Sequence, residues 1–441
     1  MRRIIYVVAL LLINSHLCFP ADNLTDKLDE LMNKYDKIGM FSGVVLLAKD
    51  GIPIYKKAFG YADWNKKIPN TTETLFNIAS IGKMFTHEMI LQLEQESKLK
   101  TSDPLSKYLT IFPEEIGNKI TIQMLIDMKA GLGDCLRSPE FLKNFKKYKT
   151  VDDFLELIKT QPLLYEPGTS RQYSNSGFIV LGGVIEKVTG KSYAENLKER
   201  FFIPLGMNNS YYKQFGDNVS GCASGTRITF TGEKISVPDF GMPSPAGGLF
   251  MNAEDLLKFD NEVRKSGLLK LATRAGGTPV WNSILAQYDN GYSLIILSNF
   301  GLDAEEVAKR FNYIMKGKEY PEPNVTMNMR LYKILKENGT DELEKKFKDV
   351  LKDYNEKYID VHLNIFGYEL MQDGKIDLAI EVFKLNAKLF PKVPNVWDSL
   401  GEAYMKNGDK SLAIENYKKV LELEPNNQHA KMMLDKLESQ K

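Results

Sequence analysis

Five pairs of residues near the end of the chain stand 34 apart: Gly367 and Gly401, Gly374 and Gly408, Ala379 and Ala413, Phe383 and Tyr417, Pro391 and Pro425. Small, aromatic and helix-breaking positions that recur at one period leave little choice of fold. Each period reads as one helical unit that buries its apolar face against the next copy. Two such units leave both end faces open. The helical patterns at 328–337 and 341–356 are therefore expected to cap or extend the stack. Gly317, Pro321 and Pro323 mark a linker at 318–324. An all-α domain over 325–441 follows it, and 24–317 is left to fold as a separate domain.

That earlier domain carries strand signals at both ends and helix signals between. Residues 24–38 read as an amphipathic helix through Leu24, Leu28, Leu31 and Tyr35. Ser42–Ala48 and Ile52–Phe59 are apolar runs joined through Asp50-Gly51, a hairpin signal. Trp281–Gln287 and Tyr292–Ser298 flank Asp289-Asn290-Gly291 in the same way. Helical patterns fill much of the interval, with Gly182 and Gly183 inside the apolar run Phe178–Val188, where close helix packing is expected. The fold class is α+β: one antiparallel sheet built from both ends, flanking helices, and a helical lobe beside a cleft.

The chemistry centres on Ser80-Ile81-Gly82-Lys83, where the apolar run Leu75–Ala79 meets an amphipathic one, Met84–Leu93. A serine in the first turn of a helix has a backbone N–H available to an oxyanion. Lys83 lies one turn on, and an ammonium pressed against apolar neighbours loses its proton more readily. Ser-x-x-Lys alone is weak, since Ser97–Lys100 and Ser210–Lys213 match it and read as surface. The only histidine between 21 and 317 is His87, roughly 10 Å along the helix from Ser80 at 1.5 Å per residue. It is out of reach, so the base must be Lys83, a tyrosine or a carboxylate. Tyr173-Ser174-Asn175, after a Pro-Gly turn, offers a phenol whose pKa a neighbouring ammonium would lower, and an amide able to fix the lysine and a substrate carbonyl. Tyr288-Asp289-Asn290 has the same spacing but reads as a hairpin turn.

Taken together, Ser80–Lys83, Glu166-Pro167-Gly168-Thr169, Tyr173–Asn175 and Phe178–Met207 resemble the serine beta-lactamase-related family. That family includes class C beta-lactamases, D-Ala-D-Ala carboxypeptidases, D-aminopeptidases and esterases, and the resemblance covers about 36–315. It implies an acyl-enzyme on Ser80, proton transfer shared by Lys83 and Tyr173, and substrate positioning by Asn175. The third family motif, Lys-Thr-Gly or His-x-Gly, aligns with Arg274-Ala275-Gly276. Arg274 keeps a positive charge suited to a carboxylate but cannot shuttle a proton. The Gly277 N–H falls where the second oxyanion donor belongs. The stretch Lys265–Thr273 before this motif is shorter than the family's. The 34-residue period resembles the tetratricopeptide repeat.

The 441 residues carry a formal net charge of +1, which gives no sign of a nucleic-acid surface. Arg2 and Arg3 ahead of the apolar run Ile4–Ile13 predict a signal peptide over 1–20, hence a secreted or periplasmic protein, membrane-bound only if the segment stays uncleaved. No cysteine has a metal-ligand spacing, so neither a metal site nor a cofactor is expected. Cys135 and Cys222 could pair in an exported protein. The expected function is an exported serine hydrolase cleaving an amide or ester, such as a beta-lactam, a D-amino-acid peptide or a simple ester, with a protein partner on the repeats. The alternative is a weak or inactive hydrolase fold that binds a partner through those repeats.

Overall fold

The computed structural model describes residues 21–213, 217, 219–237, 243–301, 303–352 and 359–439. The expected signal segment lies outside them. Among the described residues no helix is long and apolar enough to cross a membrane. The chain divides into two compact units, one holding the residues up to Gly225 together with 238–322, the other holding Thr226–Val237 together with 323–441.

The first unit is built on a five-stranded antiparallel sheet in the order Thr273–Thr278, Trp281–Gln287, Tyr292–Ser298, Gly43–Lys49, Ile52–Phe59. The two ends of this region meet where Gly43–Lys49 pairs with Tyr292–Ser298, Gly43 opposite Ser298. The predicted hairpin turn has Asp50 at φ 49° and Gly51 at φ 80°, the two positive values that let a two-residue turn follow the strand twist. Alternation sorts the strand side chains between two buried faces. Val44, Leu46 and Ala48 join one core with Leu256, Phe259 and Val263 of helix Ala253–Ser266, whereas Val45 and Leu47 point the other way. The expected helix before the first strand runs Ala21–Ile38, and the one after the last runs Asp303–Met315.

The lobe inserted between the sheet's two ends is broken into short helices. Short helices at Pro139–Asn144 and Val151–Lys159 are separated by a 3-10 turn, each with a Ser or Thr N-cap. Helix Asn175–Thr189 fills the centre of the lobe. Its paired glycines admit close neighbours as expected: a β-carbon on Gly182 would lie 2.1 Å from the Pro245 ring, and one on Gly183 would lie 2.8 Å from Leu155. Pro245 cannot rotate aside, so Gly182→Ala should lower stability by about 1–3 kcal/mol through overpacking. A thermal melt of the full chain reads this, and an unchanged midpoint would contradict the contact.

In the second unit the helices Ile359–Gln372, Ile376–Leu389, Pro394–Asn407, Lys410–Leu423 and Gln428–Ser439 follow the 34-residue register. The period has a packing reason. Gly367 faces the Phe383 ring and Gly401 faces the Tyr417 ring, a small residue opposite an aromatic in both copies. Ala379 and Ala413 are fully buried. The stretch before them is helical over Met327–Leu351 and broken at Gly339, with φ 78° and ψ −177°. The unit is not one continuous stretch of chain. The paired strands Gly225–Ile228 and Lys234–Val237 carry Phe230 at their tip into its core.

Candidate active site

Ser80 sits in a 3-10 turn, Ala79–Gly82, that leads into helix Lys83–Gln95. The α-helix therefore opens at Lys83, one turn later than the sequence pattern suggested. Ala79 is held at φ 44°, a costly value for a residue with a β-carbon, and three contacts hold it there. Its N–H donates to Asn77 Oδ1 at 2.8 Å, its carbonyl accepts from Gly248 N at 3.3 Å, and the Ser283 hydroxyl ties down the Asn77 carbonyl at 3.2 Å.

Around Ser80 the predicted groups converge. Ser80 Oγ lies 2.7 Å from the Tyr173 hydroxyl and 3.1 Å from Lys83 Nζ. Lys83 Nζ also donates to Asn175 Oδ1 at 2.7 Å and to the Ala246 carbonyl at 2.6 Å. Ser174, the N-cap of helix Asn175–Thr189, fixes where Tyr173 and Asn175 stand, and its hydroxyl also donates to the Gly133 carbonyl. Tyr173 is 47% exposed, with its hydroxyl turned toward Ser80.

Lys83 is only 7% exposed, and burial pulls its pKa down to about 7 although Asp134 acts the other way. A neutral amine has two N–H bonds and one lone pair. The two shorter contacts, to Asn175 and Ala246, take the N–H bonds, and the lone pair then faces Ser80 Oγ. That is the arrangement a base needs. Between pH 7 and the ordinary value of 10.5 the folded chain holds this proton less well than the unfolded chain does. The contribution of this group to stability therefore rises with pH across that window.

The phenol differs from expectation. Burial, with a smaller push from Asp134, raises the Tyr173 pKa, against the lowering effects of its Ser80 hydrogen bond and of Arg137. Tyr173 is thus a protonated hydroxyl at neutral pH, able to pass a proton along but not poised as a phenolate.

Two groups here escaped the sequence reading. Asp134 Oδ2 accepts from Asn175 Nδ2 at 2.9 Å and so orients the amide that meets Lys83. Its only sequence signal is its place after the Gly131–Gly133 break. The Ala246 carbonyl is a backbone group, visible beforehand only as part of a glycine-rich stretch.

The third motif does form a strand. Thr273–Thr278 is the sheet edge, so the short connection from helix Ala253–Ser266 suffices. Gly276 lies against the serine turn: a β-carbon there would be 2.3 Å from Ile78 O and 2.8 Å from Ser80 N. Gly277 follows on the exposed side. Arg274 Nη2 donates to the Lys270 carbonyl at 3.2 Å. Burial, and then the Arg274 charge, depress the His87 pKa to about 4. Cys135 and Cys222 are not joined by a disulfide.

The beta-lactamase family model matches residues 24–294, and the tetratricopeptide repeat model matches 395–427. PbpX of Bacillus subtilis, named as a penicillin-binding protein, is 32% identical over 241 residues, spanning 54% of this chain and 58% of that one. The teichoic acid D-alanine hydrolase of Staphylococcus aureus is 30% identical over 244 residues, spanning 55% of this chain and 59% of that one. The chain thus matches under three fifths of the length of either relative. A crystal structure of a penicillin-binding protein from Bacillus halodurans superposes with a TM-score of 0.58 at 25% identity, covering 64% of this chain and 98% of that one.

Proposed function

This chain belongs to the beta-lactamase family of serine hydrolases, and we propose that it cleaves an ester or amide through an acyl-enzyme on Ser80. The observation that carries the reading is Lys83: buried, drawn to a pKa near 7, and 3.1 Å from Ser80 Oγ. In this reading Lys83 takes the serine proton as Oγ attacks the carbonyl carbon. Tyr173 passes a proton to the leaving group, and the tetrahedral oxyanion is met by the N–H groups of Ser80 and Gly277. Asn175 holds Lys83 through Oδ1 and positions the substrate. Water then releases the acyl group by the reverse proton path.

Two relatives bear names that tell of penicillin binding and of D-alanine removal from teichoic acid. They favour a substrate with a D-amino-acid acyl group or a beta-lactam for this chain as well. Arg2, Arg3 and the apolar run Ile4–Ile13 favour export, and the repeats favour a protein partner.

Incubation with a fluorophosphonate or a fluorescent penicillin should give one adduct, on the peptide holding Ser80, and none in Ser80→Ala. Labelling elsewhere, or equal labelling of the variant, would refute the reading. The labelling rate should climb with pH to a plateau, with its midpoint near 7. At pH 5 it should be about a hundredfold below the plateau. A profile flat from pH 5 to 9 would rule out Lys83 as the base.

Arg274 is proposed to anchor a substrate carboxylate. Arg274→Ala should raise KM for a carboxylate-bearing ester by about tenfold to a hundredfold, the worth of one charge-assisted hydrogen bond. KM for a neutral ester should hardly change. Equal effects on the two esters would end this assignment.

A further inference from the structure

We propose that Asn282 is a positioning residue for the oxyanion site: its side-chain amide holds the Gly276 carbonyl and thereby aims the Gly277 N–H at the substrate carbonyl. The proposal rests on the reading of the Gly277 N–H as an oxyanion donor.

The Gly276 carbonyl and the Gly277 N–H belong to one planar peptide unit and point to opposite sides of the chain. Whatever fixes the oxygen therefore fixes the direction of the hydrogen. This unit needs a hold more than most, because a glycine stands on either side of it and neither has a β-carbon to restrict its rotation. Close approach forces the first of the two: a β-carbon at Gly276 would lie 2.8 Å from Ser80 N. Thr273–Thr278 is also the edge strand of its sheet.

Asn282 supplies the hold. It stands opposite Gly277 in the register with strand Trp281–Gln287 and is 1% exposed. Its Nδ2 donates to the Gly276 carbonyl at 3.4 Å. That bond is long, but the amide is clamped from behind. Oδ1 accepts from Glu305 N at 2.9 Å, a first-turn amide of helix Asp303–Met315 with no intrahelical acceptor. Nδ2 also donates to Glu305 Oε1 at 3.3 Å. The Glu305 N–H can only meet the amide oxygen, so the NH2 is the end that faces Gly276. A buried amide is unfavourable in a strand whose Trp281, Ile284 and Leu285 are buried and apolar, unless its hydrogen bonds are made. The next residue, Ser283, ties down the Asn77 carbonyl ahead of the serine turn. Two adjacent polar residues of one strand thus steady the backbone on either side of the oxyanion position.

The test compares full-length wild type, Asn282→Leu, Gly276→Ala and the double variant on one neutral activated ester, each checked for folding by circular dichroism. Leucine nearly keeps the volume and loses the donor. Asn282→Leu should lower kcat by about tenfold to a hundredfold, a part of the usual worth of an oxyanion donor, and leave KM within about twofold. The pH midpoint of Ser80 labelling by a fluorophosphonate should stay near 7, because no hydrogen bond of Lys83 runs through Asn282. In the Gly276→Ala background, where the donors are already apart, the same change should lower kcat by no more than about threefold. Wild-type kcat in a folded Asn282→Leu overturns the proposal, and so does an equal fold-loss with and without Gly276→Ala. If Asn282→Leu does not fold, Asn282→Thr, shorter and well suited to a strand, is read by the same criteria. A wild type that the probe leaves unlabelled overturns the acyl-enzyme reading, and this proposal with it.

Discussion

Lys83→Ala and Tyr173→Phe should each lower kcat/KM by about 10² to 10⁴, the usual worth of a positioned proton-transfer group. The double variant should lose scarcely more than the worse single one. The reason is the shared oxygen. Ser80 Oγ touches both partners, at 3.1 and 2.7 Å, and the proton has one route off it. Once Lys83 is gone, the phenol, whose pKa burial raises, has lost the amine it relays with through Ser80 Oγ, so its loss costs little more. Steady-state rates of the three variants on one activated ester measure this. Multiplication of the two single losses would mean that Lys83 and Tyr173 act independently.

Gly276→Ala should cost about 10² to 10³ in kcat, as much as removing an oxyanion donor, although no side chain is lost. A β-carbon at this position meets backbone on two sides, 2.3 Å from Ile78 O and 2.8 Å from Ser80 N, and neither can rotate away. The edge strand must back off from the serine turn, and the proposed pair of donors separates. Gly277→Ala is the control. Its β-carbon would point to the open side, 3.3 Å from the Asn282 amide, so its N–H can stay in place and activity should fall only a few-fold. The two variants assayed together decide the matter. Equal losses would place the effect in the strand's stability and not in its distance from Ser80.

Arg274 shows where local reading stops. Its residue type and its place in the third motif were legible, as was its lack of a proton to give. Its hydrogen bond to the Lys270 carbonyl was not, because that contact depends on how the short Gly267–Ala272 connection closes. The same holds for Asp134, a loop carboxylate whose role comes from meeting an amide 41 residues away.

What the sequence determined by itself is whatever local chemistry dictates. The Asp50-Gly51 turn, the alternating strands, the 34-residue register, and the Ser-x-x-Lys and Tyr-x-Asn pairs all rest on spacings of a few residues or on one exact period. What only the tertiary structure decided are sums over distant neighbours. The pKa of Lys83 is one, because desolvation depends on every group packed around the amine. The protonated state of Tyr173 is another. The membership of Thr226–Val237 in the helical unit is a third. Its strands look like any short hairpin, and only the socket formed by Tyr332 and Phe366, more than a hundred residues later, gives Phe230 a place to be buried.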